Sequence, residues 1–423
     1  MNEESISMDR TAAGIPVVVD RLSKARISGY LVCFHTGSRD ESPSQYGISH
    51  LLEHVVFRGT DSRSSLDISR TVESAGGQLN AFTSKEMTAY YGVTLDRTAD
   101  VAQELVADVC LHPRLLQEDI DTEKKIVLQE ISMWENDPES YIHKLFSETL
   151  WSGHALSQNE AGEEEVVMGM NESDLRSYFQ ERYRVPNISI FACGNVDERQ
   201  VKAWATENFD PVGGGKRMDR EAPRSNGEHF RIFPREGDHS YVAMGFPAYD
   251  SRHPGRTALR LLNTIMGGGM SSRLFQKVRE EKGLVYSVYN SSDQYSDAGN
   301  LGTFFSTTDE NVVEAMGIVA REYRLLKEEG LHHDELQRAK NLIGGSMAKS
   351  MESTSSRLYR ITRDYTLRGK VRTFDEEMDA LEAISEEDVM RVAEELLHSA
   401  HLTTVVYGKE SEALQRLQGS LEI

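Results

Sequence analysis

Apolar residues alternate through IPVVV (15–19) and ISGYLVCF (27–34), the period-two pattern of half-buried strands. The period then changes. Ile48, Leu51, Leu52, Val55 and Val56 fall at i, i+3, i+4, i+7 and i+8, which predicts a helix over 45–58 with one apolar stripe. A helix follows near Leu66–Ala75, then a hairpin in GGQLNAFTSKEMTAYYGVTLD (76–96) and several helices from Ala99 to Tyr183. The strand NISIFACG (187–194) and a helix from Asp197 to Phe209 close this half. Residues 210–228, DPVGGGKRMDREAPRSNGE, are rich in Gly, Pro and charge and read as a surface linker.

The order then repeats. Strands are expected at HFRIF (229–233) and SYVAMGF (240–246), and helices through RTALRLLNTIM (256–266) and SRLFQKVREEKG (272–283). A strand pair at LVYSVYNSS and GNLGTFFST follows, then long helices, and LTTVVYG with a terminal helix ends the chain. DIDTEKKIVLQEI (119–131) resembles ELQRAKNLIGGSM (335–347), a register that sets Glu123 opposite Ala339 and Glu130 opposite Ser346. The expected fold is therefore α+β with two homologous domains, each a mixed, mainly antiparallel β-sheet packed with helices. The expected divisions are 1–209, a linker over 210–228, and 229–423, in keeping with a 423-residue chain too long for one core.

Composition narrows the function classes. Lys and Arg total 47 against 68 Asp and Glu, a formal charge of −21 that repels phosphate backbones and anionic lipid surfaces. Neither nucleic acid nor a membrane is an expected partner; a basic peptide would be better steered. Cys33, Cys110 and Cys193 are odd in number and far apart, suggesting buried thiols rather than a disulfide framework or a Cys-based zinc site. The opening MNEESISMDRTAAG lacks the basic and apolar regions of a secretion signal, and no apolar run is long enough to span a bilayer. The expected compartment is the cytoplasm.

The helix over 45–58 carries more than its core stripe requires. His50, Glu53, His54 and Phe57 fall together on the opposite side, with the histidines at i and i+4. Two imidazoles so placed can reach one metal ion, and a glutamate just before the second can lie beside a metal-bound water without being a ligand. A catalytic zinc site needs a third protein ligand. Glu123 and Glu130 in TEKKIVLQEISMWENDPE are seven apart and share one helix face, so one could bind the metal while the other orients the ligands.

These segments resemble the pitrilysin-type inverted-motif zinc peptidases, which include insulin-degrading enzyme and the mitochondrial processing peptidase. HLLEHVVFRGT is similar to the family's H-x-x-E-H segment and its trailing Phe, basic residue, Gly and Thr. Glu130 stands 76 residues after His54, where the family places its third ligand, and Glu123 matches the accessory glutamate seven residues earlier. GSRDE (37–41), LNAFTSKEMTAYY (79–91) and ENDP (135–138) are further landmarks. In the second half, GGGMSSRLFQKVREEKGLVYSVY (267–289) is similar to the family segment carrying an Arg and a Tyr seven apart, here Arg279 and Tyr286. Two departures are Gln129 before Glu130, where a second Glu is frequent, and His154-Ala155-Leu156-Ser157 in place of His-Pro-Leu-Gly.

The resemblance implies one Zn2+ per chain, held by His50, His54 and Glu130, with Glu53 as general base, Glu123 as the accessory catalytic carboxylate, and Arg279 and Tyr286 serving substrate and transition state. Asn80, Ala81, Phe82 and Thr83 read as an edge strand to which an extended peptide substrate could add. Family members of this length imply a homodimeric clamshell in which one copy's Arg279 and Tyr286 act on the other's zinc domain. The function so implied is a zinc-dependent endopeptidase acting on peptides or unfolded segments. The alternative is a catalytically silent scaffold or regulatory subunit, whose usual mark, erosion of these positions, is absent from the sequence.

Overall fold

The computed structural model describes residues 4–224, 227 and 229–423, so residues 225, 226 and 228 of the expected linker lie outside the described residues. The first half of the chain runs β1 (Glu4–Arg10), β2 (Pro16–Leu22), β3 (Ile27–Phe34), α1 (Ile48–Val55), α2 (Ser65–Ser74), β4 (Gln78–Thr83), β5 (Thr88–Leu95), α3 (Ala99–Leu111), α4 (Gln117–Asn136), α5 (Pro138–Leu150), α6 (Glu164–Gly169), α7 (Glu172–Arg182), β6 (Ile188–Gly194) and α8 (Glu198–Phe209). The second runs β7 (His229–Pro234), β8 (His239–Ala248), α9 (Arg256–Gly267), β9 (Val285–Ser291), β10 (Gly299–Thr308), α10 (Val312–Glu329), α11 (Glu335–Met351), α12 (Thr354–Arg368), α13 (Phe374–Glu382), α14 (Glu386–Leu396), β11 (Thr403–Gly408) and α15 (Glu412–Gln415). The helix expected over 272–283 is shorter than that, bounded by the glycines at 267–269 and by Gly283, and its Phe275–Glu280 stretch is π-helical.

The first sheet has the order β1-β2-β6-β3-β5-β4 and the second β7-β11-β8-β10-β9. Without β1 the two orders are the same when strands are matched in sequence. In each sheet the first and last of the five matched strands, β2 with β6 and β7 with β11, pair in parallel, and the other pairings are antiparallel. The fold is thus α+β, two sheet-plus-helix halves with mixed, mainly antiparallel sheets.

The chain divides into two compact units that are not continuous in sequence. The first takes residues up to Met133, Gln158–Arg220 and Lys349–Val371; the second takes Trp134–Ser157, Glu221–Ala348 and Arg372–Ile423. Both sheets are buried on two faces, so β2 and β3, expected from their alternation to be half-buried, are instead buried at consecutive positions, in β3 from Ser28 to Phe34. One face of the first sheet meets α1, α3 and α8 in a core that includes Val19, Val32, Leu52, Val106 and Val201. Its other face, Val18, Leu31, Cys33 and Phe191, is covered by Leu358 and Ile361 of α12, a helix from the second half of the sequence. In the second unit the reverse holds: Ile142, Leu145 and Phe146 of α5, from the first half, cover Ala243, Phe304 and Val405. Since α5 follows α4 as α12 follows α11, corresponding helices are exchanged. A buried ion pair fixes α12 to the first sheet, with Arg357 Nε and Nη2 donating to the two oxygens of Asp20 at 2.9 and 2.8 Å.

The three cysteines are buried and unbridged. Among the described residues, no helix is long and apolar enough to cross a membrane. The segment read as a surface linker is pinned within the first unit before it reaches the undescribed residues. Arg220 donates to both carboxylate oxygens of Asp40, and Arg217 Nη2 donates to His35 Nδ1 at 3.3 Å. Because His35 Nδ1 accepts, its proton sits on Nε2, which bonds Ser189 Oγ at 2.8 Å. Burial holds this imidazole neutral, lowering its pKa to about 3.

Candidate active site

Helix α1 starts sharply at Gly47, whose φ of +97° is a left-handed conformation that favours glycine. A Cβ there would stand 2.7 Å from the Ala161 carbonyl oxygen. From this start the periodicity does the sorting. Ile48, Leu51, Leu52 and Val55 are buried in the core, while His50, Glu53 and His54 are half-buried on the other side. Helix α4 presents Glu123 and Glu130 from one face, two turns apart.

The two helices bring three donor groups together. Ligand atoms of His50, His54 and Glu130 all lie within 4.8 Å of one another, and no other such group of His, Cys, Asp or Glu occurs among the described residues. His50 Nε2 and His54 Nε2 stand 3.7 and 3.5 Å from Glu130 Oε2. Those separations exceed a hydrogen bond. They suit atoms that share one ion, since two donors at zinc–ligand distances of about 2.0–2.1 Å and a tetrahedral angle stand about 3.3–3.4 Å apart. The donor chemistry, two imidazoles and a carboxylate, also suits zinc and leaves a fourth position for water.

Protonation states agree with such a site. His54 Nδ1 is 2.9 Å from Glu123 Oε2 and donates to it, so Nε2 turns its lone pair towards Glu130. Burial works to lower the His54 pKa, and the Glu123 hydrogen bond with the charges of Glu130 and Glu53 outweighs it, so the net shift is upward. Burial, helped by neighbouring His54, lowers His50 to about 4, which keeps that ring neutral. His50 Nδ1 is buried and has no hydrogen-bond partner. Glu123 also takes the Arg58 guanidinium. Burial pushes its carboxyl up, but His54 and Arg58 together draw it below the usual range. Glu123 therefore sits behind the His54 ring, at the nitrogen turned away from Glu130.

Glu53 projects from α1 beside the sheet edge. Thr83 Oγ1 donates to Glu53 Oε2 at 2.5 Å. Burial raises the Glu53 pKa above the ordinary carboxylate value, against the opposing pull of Thr83 and His54. Thr83 ends β4, which carries Asn80, Ala81 and Phe82, pairs only with β5 and is the edge strand of its sheet. The other backbone edge of β4 is thus unpaired by any strand among the described residues. Leu79 and Ala81 pack on the α1 side, whereas Phe82 packs on the α12 side with its ring 5.2 Å from that of Tyr359.

Arg279 and Tyr286 belong to the second unit. Arg279 lies in the last turn of the π-helical stretch, its guanidinium 4.6 Å from the Phe275 ring centroid and 5.6 Å from that of Tyr286. Tyr286 is 83% exposed on β9, the edge strand matched in topology with β4.

Sequence reasoning missed the roles of Arg58 and Glu41. Arg58 follows His54 at i+4, a signal that could have placed it on the ligand face. Glu41, within the GSRDE landmark, accepts hydrogen bonds from Gly47 N and Ser49 N at 2.7 and 2.8 Å, a link across a loop that no helical periodicity reports.

Known proteins resemble this chain along most of its length. A family model described as "Insulinase (Peptidase family M16)" matches residues 16–163, and one described as "Peptidase M16 inactive domain" matches residues 169–343. An uncharacterised zinc protease of Streptomyces coelicolor is 32% identical over 417 residues, covering 96% of this chain and 91% of its own. Another, from Bacillus subtilis, is 34% identical over 384 residues, covering 90% of this chain and 93% of its own. Among solved structures, a peptidase M16 inactive domain from Pseudomonas fluorescens superposes with a TM-score of 0.89 at 18% identity, covering 96% of this chain and 99% of that one. A Helicobacter pylori protease gives a TM-score of 0.88 at 21% identity, covering 96% of this chain and 100% of that one. At such identities the two structures speak to the fold.

Proposed function

This chain belongs to peptidase family M16, and from that premise we propose that it is a zinc-dependent endopeptidase that cleaves peptides or unfolded segments bound as an added strand on β4. The observation that carries the reading is the convergence of His50, His54 and Glu130 donor atoms within 4.8 Å, with Glu53 on the same side of α1. The family description "inactive domain" applies to residues 169–343, which contain neither the histidines nor Glu130.

His50 and His54 would hold zinc through Nε2 and Glu130 through its carboxylate. Zinc bound there would supply Lewis acidity, making a water acidic at neutral pH and polarising a peptide carbonyl. The chain's own residues supply the rest. The open edge of β4 offers main-chain hydrogen bonds to an extended peptide, a mode that requires a locally unfolded substrate. Glu53 takes the proton of the attacking water on its carboxylate and delivers it to the leaving nitrogen. Its raised pKa favours holding that proton between the two transfers, and Thr83 fixes its rotamer. Glu123 keeps the His54 proton on Nδ1, which leaves Nε2 as a donor of electrons. Arg279 would hold the substrate backbone, and the Tyr286 hydroxyl would donate a hydrogen bond to the oxygen on which charge develops. These two act in trans in our proposal, from a second copy of the chain in a homodimer whose enclosed chamber admits peptides and excludes folded proteins.

Metal analysis of the purified protein and hydrolysis of an internally quenched peptide test the reading. The wild type is expected to carry about one zinc per chain and to lose cleavage on chelation. Glu53→Gln is expected to keep the zinc and lose about 10²–10⁴-fold in rate. Wild-type protein that binds zinc yet cleaves no peptide would favour the silent-scaffold alternative, and protein without zinc would remove both the metal and the mechanism.

A further inference from the structure

The two histidines are supported differently. The His54 ring is held at its rear nitrogen by Glu123, whereas His50 Nδ1 is buried with no partner, so no hydrogen bond orients that ring. Its direction is left to packing and to the backbone that carries it. That backbone is the first turn of α1, where the leading N–H groups lack partners within the helix and ends readily fray.

Here the turn is clamped by two residues, Glu41 and Tyr178. The Glu41 carboxyl group receives Gly47 N on Oε2 and Ser49 N on Oε1, bracketing the first helical residue, Ile48. The Tyr178 hydroxyl of α7 adds bonds to Ser49 Oγ at 2.7 Å and Thr36 Oγ1 at 2.9 Å. Glu41, Ser49, Tyr178 and Thr36 are all buried, and Ser49 immediately precedes His50. A rotation of this turn would swing the imidazole away from Glu130 without disturbing His54, which lies a turn further on.

We infer that Glu41 and Tyr178 are positioning residues for His50, doing through the backbone what Glu123 does for His54 through the ring. The inference rests on the zinc-site reading above. A role confined to fold stability would lower the melting temperature and leave metal affinity intact at temperatures where the protein is folded. Positioning lowers the affinity itself.

The test measures zinc affinity of the full chain by competition with a chromophoric chelator, well below the melting temperature, alongside thermal melting of the metal-stripped protein. Variants are Tyr178→Phe, Ser49→Ala and Glu41→Gln, with Val201→Ala in α8 as a control that destabilises the same core. Tyr178→Phe and Glu41→Gln are expected to lose zinc affinity about 10- to 100-fold, the range for residues that support metal ligands. Val201→Ala is expected to melt earlier and bind zinc as the wild type does. Should Glu41→Gln fail to fold, Tyr178→Phe decides alone. A folded Tyr178→Phe with wild-type zinc affinity overturns the inference. Wild-type protein that takes up no zinc removes the underlying site and the inference with it, a result distinguishable because it appears before any substitution is made.

Discussion

Glu123 accepts the His54 Nδ1 proton across 2.9 Å and engages Arg58 with its other oxygen, so a single buried carboxylate sets both the tautomer and the direction of a proposed metal ligand. Removing it should therefore act on the metal before it acts on the fold. Glu123→Ala is expected to weaken zinc binding about 10- to 100-fold, and Glu123→Gln less, since the amide oxygen can still accept the Nδ1 proton. Chelator competition on the two variants checks the order. Equal zinc affinity in Glu123→Ala and wild type would assign Glu123 to packing alone.

The trans arrangement makes a genetic-style prediction. Glu53→Gln damages the unit with the proposed zinc site and Tyr286→Phe damages the other unit, so each homodimer is expected to be inactive. Mixing them under conditions of demonstrated subunit exchange should restore activity towards one quarter of the wild-type level, because half the dimers are mixed and each has one intact pair. Absence of recovery despite exchange would place both contributions in one chain.

The ion pair between Asp20 and Arg357 is 0% and 3% exposed at its side chains. Truncating one partner leaves a buried charge alone, and Arg357→Ala is expected to cost about 3–5 kcal/mol. Replacing both, as Asp20→Leu with Arg357→Met, should be much milder because no unpaired charge remains. Urea denaturation measures the difference, and limited proteolysis within 349–371 should rise in the single variant, where α12 loses its anchor.

Acid sensitivity is expected in the second unit. Arg273 donates to both oxygens of Glu335, at 2.9 and 2.7 Å, and His332 N donates a third hydrogen bond. Burial tends to raise this carboxyl, but these partners lower it below its ordinary value. A depressed folded-state pKa contributes stability that is fully present above the unfolded value of about 4.3 and is lost as pH falls through the folded one. Glu335→Gln should therefore be less stable than wild type at neutral pH, with the gap narrowing on acidification. Denaturation curves from neutral pH down to about 3 provide the check, and a gap that does not change with pH would deny the linkage.

Local pattern made the site legible to the extent that the site is local. The α1 stripe, the i, i+4 histidines and the two-turn spacing of Glu123 and Glu130 are periodicities, and α1 and α4 present those faces, although α1 spans only Ile48–Val55 of the expected 45–58 and passes into a 3-10 turn over Val56–Arg58. The edge position of β4 was likewise readable from the hairpin that contains it. What periodicity cannot carry is contact across the chain. The bond from Thr83 to Glu53 spans 30 residues, and that from Arg220 to Asp40 spans 180. The latter hid inside a segment whose Gly, Pro and charge content read only as linker. Helix α5 gave no sign of which sheet it covers, because Leu145 and Phe146 would suit either apolar face.

That exchange of helices bears on how the protein comes to exist as it leaves the ribosome. The unit with the proposed zinc site takes most of its residues from the first half of the sequence but lacks one wall of its sheet until α12, ending at Arg368, has been synthesised. Until then Leu31, Cys33 and Phe191 have no cover, so a half-made chain presents a sticky sheet face to the cell. The ribosome must pass α12 before the site-bearing half can close, and a stop codon placed in the linker would yield a fragment bound for aggregation, even though it contains every residue of the proposed zinc site.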